Sequence, residues 1–233
     1  MFLAFDTETT GLPLWSDPSD HPRQPHVIQI AAVLMRSDGT EVDTLSTLVK
    51  PGPGAVMEPE ALKAHGISLA RADTEGMECD DLARRFFEMT RQAVLIIGHN
   101  ISFDIRLMRI FSARHLGLKW DNDIPTFCTM KRSQNIVNLP PTPAMIRSGR
   151  NWPKPPKLEE CIEHFFGESL DGAHDALVDV RASIRVFRHL TEKLGVSIAS
   201  PKRASSLPAS DNGWPTPDPK PAPAAAFSSN PFA

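Results

Sequence analysis

The sequence predicts an α/β fold in which a mixed sheet, three antiparallel strands plus parallel ones, is flanked by helices. Three observations predict it. Two apolar runs, Phe2–Phe5 and the β-branched Val27–Met35, open the chain as strands. The turn Ser37-Asp38-Gly39 folds the second run back onto Glu41–Val49, which alternates as a partner strand does. Beyond these strands, helical apolar spacing alternates with one more short apolar run, Ala93–Ile97.

The elements follow in order. Phe2–Phe5 reads as a short buried strand. Residues 11–26 (GLPLWSDPSDHPRQPH) carry turn and breaker residues throughout and read as a long loop. After the Val27–Met35 and Glu41–Val49 strands, Pro51-Gly-Pro-Gly interrupts the chain. Pro59–His65 reads as a short helix. Cys79–Arg91 repeats apolar residues at Leu82, Phe86 and Met89, a helical period. Ala93–Ile97 is expected parallel to the first strand. Phe103–His115 has a broad apolar face. Lys157–Phe166 and Ala176–Leu194 are helices closed by Gly167 and Gly195.

Composition narrows the function. The 233 residues (25.7 kDa) fit one sizeable domain plus extras. The 25 Lys and Arg against 28 Asp and Glu give a net charge of −3, which excludes a protein that grips nucleic acid by bulk charge alone. A local basic strip is compatible with it. The 3 cysteines, Cys79, Cys128 and Cys161, form no Cys-x-x-Cys pair, which speaks against a disulfide framework or a zinc ribbon and suits a reducing cytoplasm. The early Asp6 leaves no room for a signal-peptide core, and no apolar run nears the ~20 residues that span a bilayer.

Two stretches differ in composition. The 131–157 stretch is proline-rich, holds Lys131, Arg132, Arg147, Arg150, Lys154 and Lys157, and contains no Asp or Glu. It reads as a basic insert whose Arg147, Arg150, Trp152 and Lys154 are expected to meet a single strand, the aromatic by stacking and the cations at phosphates; the plain alternative is a solvated loop. The expected domain is 1–196, followed by a Pro/Ala/Ser-rich disordered tail, 197–233. The tail carries Phe227 and Phe232, aromatic tips that could dock on a polymerase or its clamp; a solubilising tail is the bland reading.

Three short motifs hold the chemistry. In Phe5-Asp6-Thr7-Glu8-Thr9-Thr10-Gly11-Leu12, the two acids stand two apart at a strand end and point to one side of the sheet. Such a pair repels unless a cation lies between them, and hard oxygen ligands suit Mg²⁺ or Mn²⁺. In Gly98-His99-Asn100-Ile101-Ser102-Phe103-Asp104, a strand turns into a helix that Asp104 opens, where an acid also complements the helix dipole. In Gly172-Ala173-His174-Asp175-Ala176-Leu177-Val178-Asp179, His174 and Asp179 are five apart, about 140° on a regular helix. They converge only if His174 precedes the helix and Asp179 lies one turn in, facing the sheet. Asp175 reads as a cap or dipole partner. Together the four carboxylates and the histidine can hold two metal ions and a proton acceptor, the requirement of an in-line phosphoryl displacement.

These three motifs, in this order, resemble the DEDDh 3′→5′ exonucleases of the ribonuclease H-like superfamily, which include polymerase III epsilon proofreading exonucleases and stand-alone trimming enzymes. The resemblance runs from about Phe2 to Leu194, and the absence of tyrosine excludes the sister DEDDy class. It implies a ribonuclease H-like sheet, with Asp6, Glu8, Asp104 and Asp179 as ligands of two Mg²⁺ or Mn²⁺ ions and His174 as general base. It further implies that the backbone over Thr7, Thr9, Thr10, Gly11 and Leu12 holds the terminal nucleotide, that Leu12 and Phe103 pack against the last bases, and that Asn100 and His65 lie on the substrate side. The 131–157 insert departs from compact members of the family.

The expected activity is metal-dependent hydrolysis at the 3′ end of single-stranded DNA, releasing nucleoside 5′-monophosphates in proofreading, repair or processing. Its rivals are an RNA 3′-end trimming or short-oligonucleotide hydrolase, a non-catalytic nucleic-acid-binding module, and a proofreading subunit that acts only within a complex.

Overall fold

The computed structural model describes residues 1–198. Five strands, β1 (Phe2–Thr9), β2 (Val27–Met35), β3 (Glu41–Leu48), β4 (Leu95–Gly98) and β5 (Thr126–Cys128), form one sheet in the order β3-β2-β1-β4-β5. β1, β2 and β3 pair antiparallel, while β1–β4 and β4–β5 pair parallel. The helices are α1 (Pro59–His65), α2 (Leu69–Glu75), α3 (Cys79–Arg91), α4 (Ser102–Leu116), α5 (Thr129–Val137), α6 (Pro143–Arg147), α7 (Leu158–Phe166) and α8 (Ala176–Arg188). A π-helical turn, His189–Lys193, continues α8.

β2 is buried along its whole length except at Gln29, as expected for an interior strand covered on both faces. β3 lies at the edge and is largely exposed, with charged Glu41 and Asp43 held by Arg181 of α8 and Arg85 of α3. Such charges blunt an open edge against further pairing.

One face of the sheet packs on α7 and α8 through Ala4, Ala31, Val33, Ile97 and Phe127 against Cys161, Ile162, Val180, Val186 and Phe187. On the other face, Phe5 meets Phe86 of α3 edge-on, with ring centroids 5.1 Å apart. Odd and even positions of β1 thus serve two different layers, and this decides where its acids point. Each such aromatic or aliphatic side chain, removed from water, contributes about 1.5–3 kcal/mol.

The structure corrects several expectations. β1 does not stop at Phe5 but runs to Thr9, because β2 pairs with it as far as Glu8↔Gln29 and Thr9↔Val27. Ladder hydrogen bonds carry the polar half of the strand, where no apolar pattern marks it. β5 and helices α2, α5 and α6 were not expected. The buried positions of α5 are Thr129, Ser133 and Val137, a stripe at i, i+4 and i+8 whose members are mostly hydroxyl residues, so hydrophobic periodicity does not reveal it. α2 buries only Ala72 and rests on its Ser68 cap, which accepts from Arg71 N–H. α6 starts with Thr142 as cap and a proline in its first turn, so the basic insert is partly helical and not one loop. The three cysteines are free thiols. The expectations for Phe227, Phe232 and the tail beyond residue 198 lie outside the described residues.

Candidate active site

Asp6 and Glu8 project from the face of β1 that looks toward α8. Directly after Glu8 the β1–β2 register shifts, a bulge of the kind that re-aims side chains where a strand ends its pairing. Asp104 comes from the opposite layer. β4 ends at Gly98, where a Cβ would lie 2.7 Å from Ile101 Cδ1 and 3.2 Å from the Phe5 carbonyl oxygen, so a side chain there would push Ile101 aside and crowd β1, and glycine eases the close turn into α4. Asn100 then takes a left-handed conformation, φ 64°, which asparagine tolerates better than most residues. The result buries Asp104 to 2% exposure, with Oδ1 accepting from Thr7 N–H at 3.0 Å and from the Thr7 hydroxyl at 2.8 Å.

The third motif meets this pair from α8. Asp175 is the helix cap and accepts from Leu177 N–H at 3.0 Å and Val178 N–H at 3.3 Å. Gln29 of β2 clips the same turn: its side-chain oxygen accepts from Ala176 N–H and its amide donates to Asp175, both at 3.3 Å. His174 precedes the helix with φ 70°, and its N–H donates to Asp179 Oδ2 at 3.1 Å. The left-handed residue removes the 140° conflict, and one ligand atom each from Glu8, His174 and Asp179 lies within 4.8 Å of the others.

The electrostatics of the cluster are set by burial and by carboxylates that face one another, with His174 alone acting in the opposite sense on Asp179 by its charge. Burial, then Asp104, Glu8 and Asp179, push the Asp6 carboxyl well above its ordinary range. Burial and the neighbouring acids push Glu8 to about 8. Asp104 rises to about 7, chiefly by burial and against the opposing hydrogen bonds from Thr7. Asp179 is also raised, mainly by burial. The Oδ1 atom of Asp179 is buried and has no hydrogen-bond partner. Clustered, desolvated carboxylates with an unpartnered oxygen are a donor set suited to hard divalent cations.

A cavity of about 940 Å³ opens beside Glu8 and His174. Thr7, Thr9, Thr10, Gly11, Leu12, His65 and Phe103 all line it. Leu12 is 79% exposed, an unusual position for a leucine. The threonine hydroxyls are already engaged: Thr9 donates to the Gly11 carbonyl, and Thr10 accepts from His26 N–H. Both ring nitrogens of His65 are engaged too, Nδ1 accepting from Ile67 N–H at 3.0 Å and Nε2 donating to the Thr9 carbonyl at 3.1 Å. His65 thus offers the cavity a ring edge and no free polar atom. Asn100 shapes the turn before α4, its carbonyl accepting from Phe103 N–H, and does not line the cavity.

Arg147, Arg150 and Trp152 are exposed but do not line this cavity either. Lys154 is committed elsewhere: its ammonium lies 2.6 Å from both carboxylate oxygens of Glu160. Sequence reasoning missed Gln29, whose signal was its place as the one polar residue in an apolar strand. It also missed Gln24 and Arg106, which hold the 11–26 loop in place.

Residues 3–187, more than three quarters of the chain, match the RNase_T family, described as an exonuclease family. The chain belongs to the RNase_T exonuclease family. The chain is 26% identical over 194 residues to DNA polymerase III subunit epsilon of Aquifex aeolicus, covering 83% of the chain and 81% of that protein. It is 25% identical over 199 residues to the PolC-type DNA polymerase III of Thermotoga petrophila, but spans only 12% of that polymerase. A Mycobacterium tuberculosis relative is spanned to 27% of its length. Among solved structures, Escherichia coli Exonuclease I in complex with a dT13 oligonucleotide superposes with a TM-score of 0.61 at 22% identity, covering 83% of this chain and 41% of that one. The fold of the chain is therefore ribonuclease H-like. Among its described residues, no helix is long and apolar enough to cross a membrane.

Proposed function

We propose that the chain is a divalent-cation-dependent 3′→5′ exonuclease that removes nucleoside 5′-monophosphates from the 3′ end of single-stranded DNA in the cytoplasm. The observation that carries this reading is the meeting of Glu8, His174 and Asp179 within 4.8 Å of one another, with an Asp179 oxygen that has no partner and with Asp104 near enough to Asp6 to raise its carboxyl. The epsilon relative supports a DNA substrate, and the dT13 bound by Exonuclease I supports a single strand.

In this reading residues 1–196 form the exonuclease domain, and Asp6, Glu8, Asp104 and Asp179 hold two Mg²⁺ or Mn²⁺ ions. Such ions stabilise charge on the attacking and leaving oxygens of a phosphodiester. The remaining work falls to the chain. His174 takes the proton of the attacking water at the imidazole nitrogen that lies within 4.8 Å of the Glu8 and Asp179 oxygens. Thr7 keeps Asp104 oriented. Leu12 and Phe103 present apolar surface to the terminal bases, which would cover the exposed leucine. The exposed Arg147, Arg150 and Trp152 remain open to a longer strand, whereas Lys154 does not.

The test is digestion of a 5′-labelled single-stranded DNA oligonucleotide with Mg²⁺ or Mn²⁺, with a matched RNA alongside. A descending ladder that EDTA prevents is the expected result. Release of the label in the first product, or an intact DNA strand under both metals, overturns the reading. A ladder from RNA alone moves the substrate to RNA, since the 2′-OH is the feature that distinguishes the two strands.

A further inference from the structure

A second cavity, of about 740 Å³, lies on the other side of the same two walls. The 11–26 loop turns Leu12 and Leu14 toward the first cavity and Trp15 toward the second. The start of α4 does likewise, with Phe103 in the first cavity and Ser102, Ile105, Arg106 and Arg109 in the second. α5 closes it with Lys131 and Arg132. Four of its lining residues are cationic and none is an acid, although the chain as a whole is acidic.

The cations are not equivalent. Arg106 is consumed by the fold: it donates to Ser19 Oγ at 2.7 Å and to the Leu14 and Asp17 carbonyls at 3.2 and 2.5 Å, pinning the loop. Arg109, Lys131 and Arg132 form no ion pair among the described residues. Arg109 Nε, like Arg106 Nε, is buried without a hydrogen-bond partner, but Arg109 makes none of the loop contacts that engage the Arg106 guanidinium. Arg132 rests its guanidinium over the Phe127 ring, 5.5 Å from the centroid, which leaves its N–H groups free at the edge. Trp15 is 61% exposed.

We propose that this groove holds the single strand upstream of its 3′ end, with Arg109, Lys131 and Arg132 at phosphates and a base stacked on Trp15. The proposal rests on the reading of the carboxylate cluster as an exonuclease centre. Arg109 lies five residues beyond Asp104 on the same helix, about 7.5 Å along its axis and about 140° around it, so a strand whose end sits at the cluster reaches the groove by crossing the first turn of α4, where Phe103 lines one cavity and Ser102 the other. Unpaired cations beside an exposed indole are the combination that binds a strand without regard to sequence. A merely acidic polypeptide would match the charge and leave Trp15 unused.

The experiment measures binding of fluorescent oligo-dT, of three nucleotides and of about twelve, with Ca²⁺ in place of Mg²⁺. The proteins are wild type, Trp15→Ala and Lys131→Gln/Arg132→Gln, the last two residues being exposed; because Arg132 also covers the core ring of Phe127, the Tm of that variant is measured alongside its binding. For the long strand, Trp15→Ala is expected to weaken binding about tenfold. The charge variant should lower the slope of log Kd against log salt by about 1.4, from 0.7 per phosphate for two contacts. The loss should be larger for the long strand than for the trinucleotide. Equal losses at both lengths, an unchanged slope, or a polyglutamate that competes as well as the strand would overturn the proposal. The outcomes separate from those of the function: length-dependent losses uphold the groove even if no strand is digested, and unchanged binding overturns it even if digestion proceeds.

Discussion

Thr7 gives both of its donors, the backbone N–H at 3.0 Å and the hydroxyl at 2.8 Å, to a single oxygen of Asp104, 97 residues further along the chain. The two residues lie in different layers, so these bonds tie the strand that carries Asp6 and Glu8 to the helix that carries Asp104. They also oppose the rise that burial imposes on the Asp104 carboxyl, which still stands at about 7. Thr7→Val keeps the shape and the N–H but removes the hydroxyl. A hydrogen bond to a charged group contributes about 1.5–3 kcal/mol, so the Mg²⁺ concentration for half-maximal activity should rise at least about tenfold near pH 7 and recover part of that loss at higher pH. Metal titrations of activity at the two pH values check this.

Asp179→Asn should abolish digestion, by more than about 10²-fold, without unfolding the protein. Asp179 is partly buried and its carboxyl is raised, so its ionised form works against folding. The cation-free variant should therefore melt at the same temperature as wild type or higher, while its Tm no longer responds to Mg²⁺ as strongly. Thermal unfolding with and without the metal reads both effects.

His174→Asn separates proton transfer from backbone geometry. At φ 70° an alanine would be strained, whereas asparagine tolerates that conformation. The rate should fall by about 10²–10⁴-fold, and the Mg²⁺-induced rise in Tm should persist. A variant with unaltered rate would remove the proton-acceptor role.

The pH dependence of stability has a definite sign. Glu8 titrates at about 8 in the folded chain against 4.5 ordinarily, and Asp6, Asp104 and Asp179 are raised as well. The folded state binds these protons more tightly than the unfolded state, so their contribution is fully present below about pH 4.5 and is lost as pH rises through about 8. Cation-free protein should show a falling Tm across that window. Mg²⁺ or Mn²⁺ should counter the fall, most strongly above pH 8, where the carboxylates bind metal without first losing protons. Scanning Tm against pH with EDTA and with Mg²⁺ tests both halves.

Lys154→Met should behave as a structural change. The ammonium bridges both oxygens of Glu160, whose carboxylate also accepts from Lys157 N–H at the start of α7. Its loss should destabilise the fold by no more than about 1 kcal/mol and leave strand affinity and its salt dependence unaltered. Denaturant unfolding and a binding isotherm distinguish this from a phosphate contact.

Much of this architecture was legible in the sequence because the informative residues were apolar. Val27–Met35 and Cys79–Arg91 match their elements to the residue. The carboxylates were legible as a set because each lies at a boundary between elements, although no single motif distinguishes a metal ligand from a helix cap. What the sequence hid were features made of polar residues. α5 buries Thr129 and Ser133, and the polar end of β1 is held by pairing with β2. The occupants of Lys154 and of the His65 nitrogens were equally invisible, because a partner's position depends on the tertiary fold. Lys154 reads as free in a stretch without acids, yet Glu160 returns to it from the first turn of α7.

The loop over residues 11–26 is Pro-rich and lacks regular structure, yet it is heavily bonded. Gln24 donates to the Leu14 and Pro18 carbonyls and accepts from Leu14 N–H, Arg106 adds the bonds to Leu14, Asp17 and Ser19, and Arg114 donates to Gln24 and Pro25. Its conformational entropy is therefore surrendered when the chain folds and not when a ligand arrives. A protease should find few cleavable bonds in this segment despite its turn-forming composition, and hydrogen exchange at Leu14 and Gln24 should be slow in the free protein. A ligand would then dock on a wall that is already set, with little reorganisation between encounter and capture.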